Sequence, residues 1–304
     1  MTQSAPSPTF NLVKHAEPAI VWKNFNIGAT RSGEGQSGGT AHREANLFLS
    51  KEIMAYRYDP DLEFLEKLES KDLNDLVYSL THDKDGSVRL TEELTGSPLY
   101  KQHYPDHHQY WEFIAAEIQC FGANTLVTMF RGGKGVEYRE VLTDVCDQMK
   151  VNYNKDASVE RIENGLLLKV LNDALEKMSP DEIRKLAESV GVKNFAHLTP
   201  EGMLGVFQAV FRAGGFKSYQ LTLIVVNAVL KAMIGRGLTL AGNATLTRTI
   251  GILTGPIGWA ITGAWTAVDI ASAAYRVTIP AVIQVAALRQ KYLYAKQADE
   301  VSFS

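Results

Sequence analysis

The densest set of side chains able to hold a metal is His103-Tyr104-Pro105-Asp106-His107-His108, with Glu112 a turn further on. Imidazole and carboxylate are zinc ligands, and His108 and Glu112 stand at the i, i+4 spacing that places two ligands on one helical face. A zinc site needs three or four converging ligands, however, and a polar turn opening a helix accounts for the same residues. Asp106 then reads as the cap, with the histidines exposed in the first turn. A metal-dependent enzyme built on His103, His107, His108 and Glu112 is the third of three functional readings, and no metal or other cofactor is expected.

Other chemistry-bearing patterns fall short of their templates. Arg131-Gly132-Gly133-Lys134-Gly135 lacks the GxxxxGK[ST] spacing of a phosphate loop and no strand precedes it, so it reads as a helix–helix turn. Asp83-Lys84-Asp85-Gly86 has Leu94 where a calcium loop needs its twelfth-position glutamate, and it too reads as a turn. Glu112 and Glu117 are five apart and do not face each other, and no Ser/His/Asp set is present. The chain is expected not to be an enzyme.

The elements that would position these residues are helical. Leu62, Leu65 and Leu68 mark a first helix, and Ser70 reads as the N-cap of a second carrying Leu73, Leu76, Val77 and Leu80. Thr91 reads as the cap of a short helix. Trp111, Ile114, Ile118 and Phe121 stripe the next helix, Val141, Leu142, Val145 and Met149 another, and Leu166 to Leu175 continue the pattern. Ser179-Pro180-Asp181-Glu182 and Thr199-Pro200-Glu201 are clear helix starts, with Gly191 and Gly214-Gly215 as the matching stops. Few alternating strands are visible, and the predicted class is all-α.

The last third has a different character. From Ser218 to Leu288 the charged residues are Lys231, Arg236, Arg248, Asp269 and Arg276, and Thr249–Val268 has none. Three apolar pieces are predicted, Tyr219–Ile234, Leu238–Val268 and Ile270–Tyr294, with Pro256 and Pro280 starting, breaking or kinking helices. Gly251 and Gly255 are four apart, the spacing at which helices approach closely in membranes, and Gly258 and Gly263 extend the pattern. Trp259 and Trp265 suit an interface, and the uncharged run just meets the ~20 residues that cross a bilayer. Its glycine, threonine and alanine weaken the drive to insert, so a glycine-rich core hairpin fits the same residues.

Charge divides the chain in the same place. From Arg212 to the end there are nine Lys/Arg and three Asp/Glu, or +6; against a total of −3, residues 1–211 carry −9. A nucleic-acid binder would gather its basic residues into a dense patch, and none is present. A basic apolar tail on an acidic body suits either an anionic lipid surface or the acidic body of its own chain. Cys120 and Cys146 fall on apolar helix faces and read as buried free thiols; with no disulfide framework and no signal peptide, the expected location is cytoplasmic, with peripheral or conditional membrane association. The predicted organisation is a disordered Ser/Pro/Gly-rich leader over 1–52, an acidic helical domain over 53–197 and an apolar, Gly/Ala-rich helical region over 198–304.

Asp61-Leu-Glu-Phe-Leu, Thr81-His-Asp-Lys-Asp-Gly-Ser-Val-Arg-Leu, Tyr110-Trp-Glu-Phe-Ile-Ala-Ala-Glu-Ile-Gln-Cys-Phe-Gly and Tyr138-Arg-Glu-Val-Leu-Thr-Asp-Val resemble the enteric YaaW family. The most specific match is Ala274-Tyr-Arg-Val-Thr-Ile-Pro-Ala-Val-Ile-Gln-Val-Ala-Ala-Leu-Arg, and the resemblance runs over about residues 55–295. It implies no catalytic residues. Its C-terminal half is grouped loosely with ubiquinol–cytochrome c chaperones, which implies an assembly or adaptor role.

The first functional reading is therefore a non-enzymatic helical protein whose C-terminal helices engage a membrane or a protein partner, conditionally and in a pore-like manner. In it Gly251, Gly255, Gly258 and Gly263 set helix packing, Trp259 and Trp265 anchor, and Arg236, Arg248 and Arg276 meet headgroups or acidic side chains. The second is a chaperone-like assembly factor or adaptor whose tail is simply core.

Overall fold

The computed structural model describes residues 56–89, 91, 93–122, 135–176, 178–189, 191–192, 199–239 and 275–302. The leader, the loop over 131–134, and the tail candidates Arg248, Gly251, Gly255, Gly258, Trp259, Gly263 and Trp265 lie outside them.

The protein is all-α. Nine α-helices are described: α1 (Ser70–Thr81), α2 (Pro98–His103), α3 (Trp111–Gly122), α4 (Tyr138–Gln148), α5 (Val159–Leu175), α6 (Pro180–Ser189), α7 (Pro200–Ala213), α8 (Gly215–Ile234) and α9 (Tyr275–Ser302). Among the described residues the extended pairing is one antiparallel bridge, His82 to Val88, across the turn in which Gly86 takes φ +83°.

Several starts follow the sequence signals. Ser179 and Glu182 form a reciprocal capping box, the Ser179 N–H donating to Glu182 Oε2 at 2.7 Å and the Glu182 N–H to Ser179 Oγ at 3.4 Å. Thr199 Oγ1 accepts from Gly202 N at 3.2 Å. Gly214, at φ +66°, separates α7 from α8, whose first residue Gly215 also has a positive φ, +70°.

Other expectations are corrected. Leu62, Leu65 and Leu68 surround a 3-10 turn, Glu63–Lys67, rather than an α-helix. Ser70 is the first residue of α1, with Glu69 in the cap position. Its hydroxyl donates to Asp106 and accepts from His108 N at 3.0 Å, tying α1 to the histidine segment. Ser97, not Thr91, caps the short helix, accepting from Tyr100 N at 3.0 Å. Thr91 Oγ1 instead takes the Thr95 N–H at 2.7 Å, in the turn before it. Pro280 does not end its helix: α9 runs through it, with Ile279, Val282 and Ile283 buried, so packing on all sides overrides the lost N–H.

α9 is the axis of the fold. It packs along α8 and touches α1, α3, α4, α5 and the first 3-10 turn; α1 and α3 to α9 all contribute buried residues to one hydrophobic cluster, and Leu99 and Tyr100 of α2 pack against it. Several polar residues on these apolar helices pair inside that cluster, whereas the buried Thr222 hydroxyl on α8 has no hydrogen-bond partner among the described residues. Gln284 donates to Ser79 Oγ at 2.7 Å, and Gln290 accepts from Ser218 and donates to Asn164 Oδ1 at 3.1 Å. Asn227 Oδ1 takes the Leu238 N–H at 3.0 Å. Such pairs hold α8 and α9 in one register against the body.

The entry to α4 is built by residues far away in sequence. Buried Gln119 accepts from Arg57 N at 3.0 Å and donates to Arg57 O at 2.8 Å, which fixes Asp59 beside the helix start. Asp59 then accepts from Tyr138 N at 2.6 Å and so caps α4 from 79 residues upstream. Gly135 passes so close to α3 that an added Cβ would lie 2.4 Å from Gln119 Cβ and 2.9 Å from its carbonyl carbon. Gly135→Ala is therefore expected to destabilise by about 3 kcal/mol, the upper end of overpacking costs, as a lowered urea midpoint with unchanged slope. A loss within ~0.5 kcal/mol would mean the α3–α4 contact yields easily.

Candidate functional site, a cleft floored by a largely buried arginine

Arg289 lies on the buried stripe of α9, one turn after Val285 and Ala286. Glu163 lies on the equivalent stripe of α5, between Val159 and Leu166. The two meet where α4, α5, α9 and the first 3-10 turn converge. Arg289 Nε donates to Glu163 Oε2 at 2.8 Å, with side-chain exposures of 12% and 1%. Arg289 Nη2 donates to the Asp61 carbonyl at 2.6 Å. Tyr138, fully buried, donates its hydroxyl to Glu163 Oε1 at 2.8 Å. The guanidinium stacks over Phe64 at 4.4 Å and lies 5.8 Å from the Tyr138 ring, so its charge is balanced by one carboxylate and two aromatic faces.

Burial pushes the Glu163 carboxyl above the usual carboxylate range, with Arg289 and the Tyr138 hydroxyl working against it. Burial likewise drives Tyr138 well above its ordinary value, and the Glu163 charge adds to this. Asp61, half-buried beside them, is also raised by burial while Arg289 opposes the shift.

Above this cluster opens a cleft of about 530 Å³. Its apolar surfaces come from Phe64, Val159, Tyr292 and Leu293, and its rim carries Glu63, Glu66, Lys67 and Glu160. Lys67 pairs with Glu66 at 2.8 Å on the exposed edge.

Two further ion pairs join α1 to the C-terminal third. Arg236, just past α8, donates to Asp75 at 3.2 Å and stacks over Tyr78 at 4.1 Å; Thr239 N donates to the same carboxylate at 2.8 Å. Lys291 on α9 pairs with Asp72. With Arg289–Glu163, these three bridges each set a cation of the basic tail against an acid of the acidic body. Arg276 is exposed.

The histidine segment is arranged differently from its sequence reading. His107–Tyr110 is a 3-10 turn, and Glu112 belongs to the α-helix that follows. His107 is not an exposed first-turn residue: it is buried, its Nδ1 2.5 Å from the Tyr110 hydroxyl, with Tyr104 packed edge-on. His108 is exposed and His103 half-buried. Asp106 directs its carboxylate to Ser70 rather than capping the turn. Among the described residues, no group of three His, Cys, Asp or Glu could hold a metal ion. Cys120 and Cys146 are buried and form no disulfide.

The cleft residues Tyr138, Glu163 and Arg289 were not singled out by motif. Their signal is a charge placed on an apolar stripe: Glu163 stands four after Val159 and three before Leu166, and Arg289 seven after Val282. A charge at a core position marks a buried pair, but sequence does not name its partner.

Fold and site together define an all-α protein with a polar cleft built over one internally balanced charge cluster. Residues 106–283 match the family model described as Ubiquinol-cytochrome C chaperone, and residues 56–90 match that described as Domain of unknown function (DUF3944). A UPF0174 protein of Helicobacter pylori strain J99 is 51% identical over 247 residues, 81% of this chain and 96% of the relative. A UPF0174 protein of Helicobacter pylori strain 26695 is 40% identical over 206 residues, 66% of this chain and 98% of the relative. The UPF0174 protein YaaW of Escherichia coli K12 is 32% identical over 240 residues, 77% of this chain and 95% of the relative. No solved structure matches. The chain belongs to the UPF0174 (YaaW) family.

Proposed function

We propose that this protein is a non-enzymatic, chaperone-like assembly factor that receives a segment of a client protein at the Arg289 cleft. The observation that carries this reading is the destination of the tail's cations. Arg236, Arg289 and Lys291 are matched by Asp75, Glu163 and Asp72 within the chain, so α8 and α9 are tied into the body as core. A membrane-engaging tail would instead present such cations to lipid. Among the described residues, no helix is long and apolar enough to cross a membrane.

The site chemistry favours binding over catalysis. Glu163 is held by a guanidinium and a phenol, and Tyr138 is far from ionising, which leaves neither arranged as a base near neutral pH. The family model's description supplies the chaperone role, and the cleft supplies a place for it.

In a strain deleted for the gene, native electrophoresis with mass-spectrometric profiling is expected to show one multi-subunit complex lost and its subunits accumulating unassembled. Wild-type protein restores the complex; a cleft variant does so poorly. An unchanged profile of all complexes in the deletion strain would overturn the assembly reading.

A further inference from the structure

Resting on the assembly reading, we propose that the client segment seated in the cleft is cationic: a lysine or arginine carried next to an apolar residue. The floor and the rim make different demands. Phe64, Val159, Tyr292 and Leu293 offer an apolar and aromatic surface that one leucine-sized or aromatic side chain would cover. The floor cation is already matched, Arg289 by Glu163 and by the Asp61 carbonyl, so it has little left for an anionic guest.

The charges lining the cleft are Asp61, Glu63, Glu66 and Glu160 against Lys67 and Arg289, a balance of −2, and Glu163 directly behind the floor brings it to −3. Lys67 is turned to Glu66 at the edge. The remaining field comes from Asp61, Glu63 and Glu160, on two elements facing each other across the opening, the first 3-10 turn with its approach and the start of α5. A carboxylate guest would enter against that field, whereas an ammonium or guanidinium would be drawn in and held beside the Tyr292 ring, the Phe64 ring being covered by Arg289.

The probe is a fluorescein-labelled peptide alternating lysine with leucine and tryptophan, set beside its counterpart with glutamate for lysine, read by fluorescence anisotropy on the full chain. The lysine peptide is expected to bind at least tenfold tighter and to weaken steeply as salt rises. Glu63→Lys with Glu160→Lys, both exposed positions, should lower that affinity at least tenfold and shift preference to the glutamate peptide. The same charge change at Glu176 and Glu188, on exposed surface away from the cleft, should leave the preference in place. The milder Glu160→Gln should give an intermediate loss.

Equal binding of the two peptides, or equal losses from the cleft and remote reversals, would overturn the proposal. The peptide assay uses no client, so it is independent of the assembly reading. An unchanged complex profile in the deletion strain removes that reading and leaves the cleft's charge preference to be judged by anisotropy.

Discussion

Glu163→Leu is expected to destabilise the protein by about 3–5 kcal/mol, the usual cost of stripping one partner from a buried ion pair. The reason is the charge left behind. Arg289 would keep a guanidinium at 12% exposure with only the Asp61 carbonyl and two aromatic faces for company, and Tyr138 would lose the acceptor 2.8 Å from its hydroxyl. Glu163→Leu combined with Arg289→Met removes both desolvation costs and fills similar volume, so most of the loss should return. Urea unfolding of wild type, both single variants and the double variant forms a closed cycle. A double variant as unstable as the sum of the singles would contradict the picture of one coupled pair. It would recast Arg289 as an independent anchor of α9.

The second large effect is one of pH. Burial lowers the His107 imidazole to about 4 from an ordinary 6.5, with nearby Asp106 pulling weakly the other way. In the unfolded chain the ring takes up its proton near 6.5, while in the folded protein it resists until about 4. The unfolded state therefore binds more protons in that window, and folding stability falls as pH drops through it. It is fully present above pH 6.5, and the loss approaches about 3 kcal/mol near pH 4.

His107→Phe removes the titration but strands the Tyr110 hydroxyl, which is buried at 1% exposure. At neutral pH that variant should be about 1–2 kcal/mol less stable than wild type. The gap should close as pH approaches 4. Glu163 and Asp61, both raised by burial, act with the opposite sign over the acid range, so the difference between the two proteins is the quantity to follow. Parallel stability curves for wild type and His107→Phe from pH 7 to 4.5 would show that the ring titrates normally.

Much of this architecture was written in local patterns. The capping box at Ser179 and Glu182, the glycines where α7 meets α8, and the stripes of α1, α3 and α4 depend on neighbours three or four residues away. Sequence spacing reports such neighbours directly. What it missed depends on partners brought from a distance. Ser70 fits a cap by type, yet its hydroxyl serves Asp106 and His108 from the next segment. Asp59 caps a helix 79 residues away, and only the Gln119 clamp on Arg57 puts it there. The histidine segment looked exposed because its letters are polar. Burial of His107 is imposed by Tyr104 and Tyr110 closing around it, and a one-dimensional pattern carries no trace of that enclosure.

The charge asymmetry was legible, but its purpose was not. A basic tail and an acidic body fit self-complementarity and lipid attraction equally well until the partners are seen. Three bridges to Asp72, Asp75 and Glu163 favour self-complementarity for the described part of the tail. The cleft was hidden for the same reason: Arg289 and Glu163 are 126 residues apart, and each alone reads as a stray charge on an apolar helix.

Helices α8 and α9 are held as core by those bridges. Amide hydrogen exchange of the full chain, with and without anionic phosphatidylserine vesicles, tests this most directly. Amides over 219–234 and 277–290 are expected to exchange only through global unfolding, at rates the vesicles leave unchanged. Rapid exchange in those stretches, or protection that shifts when vesicles are added, would show a tail that leaves the body for lipid, and would contradict a core role for α8 and α9.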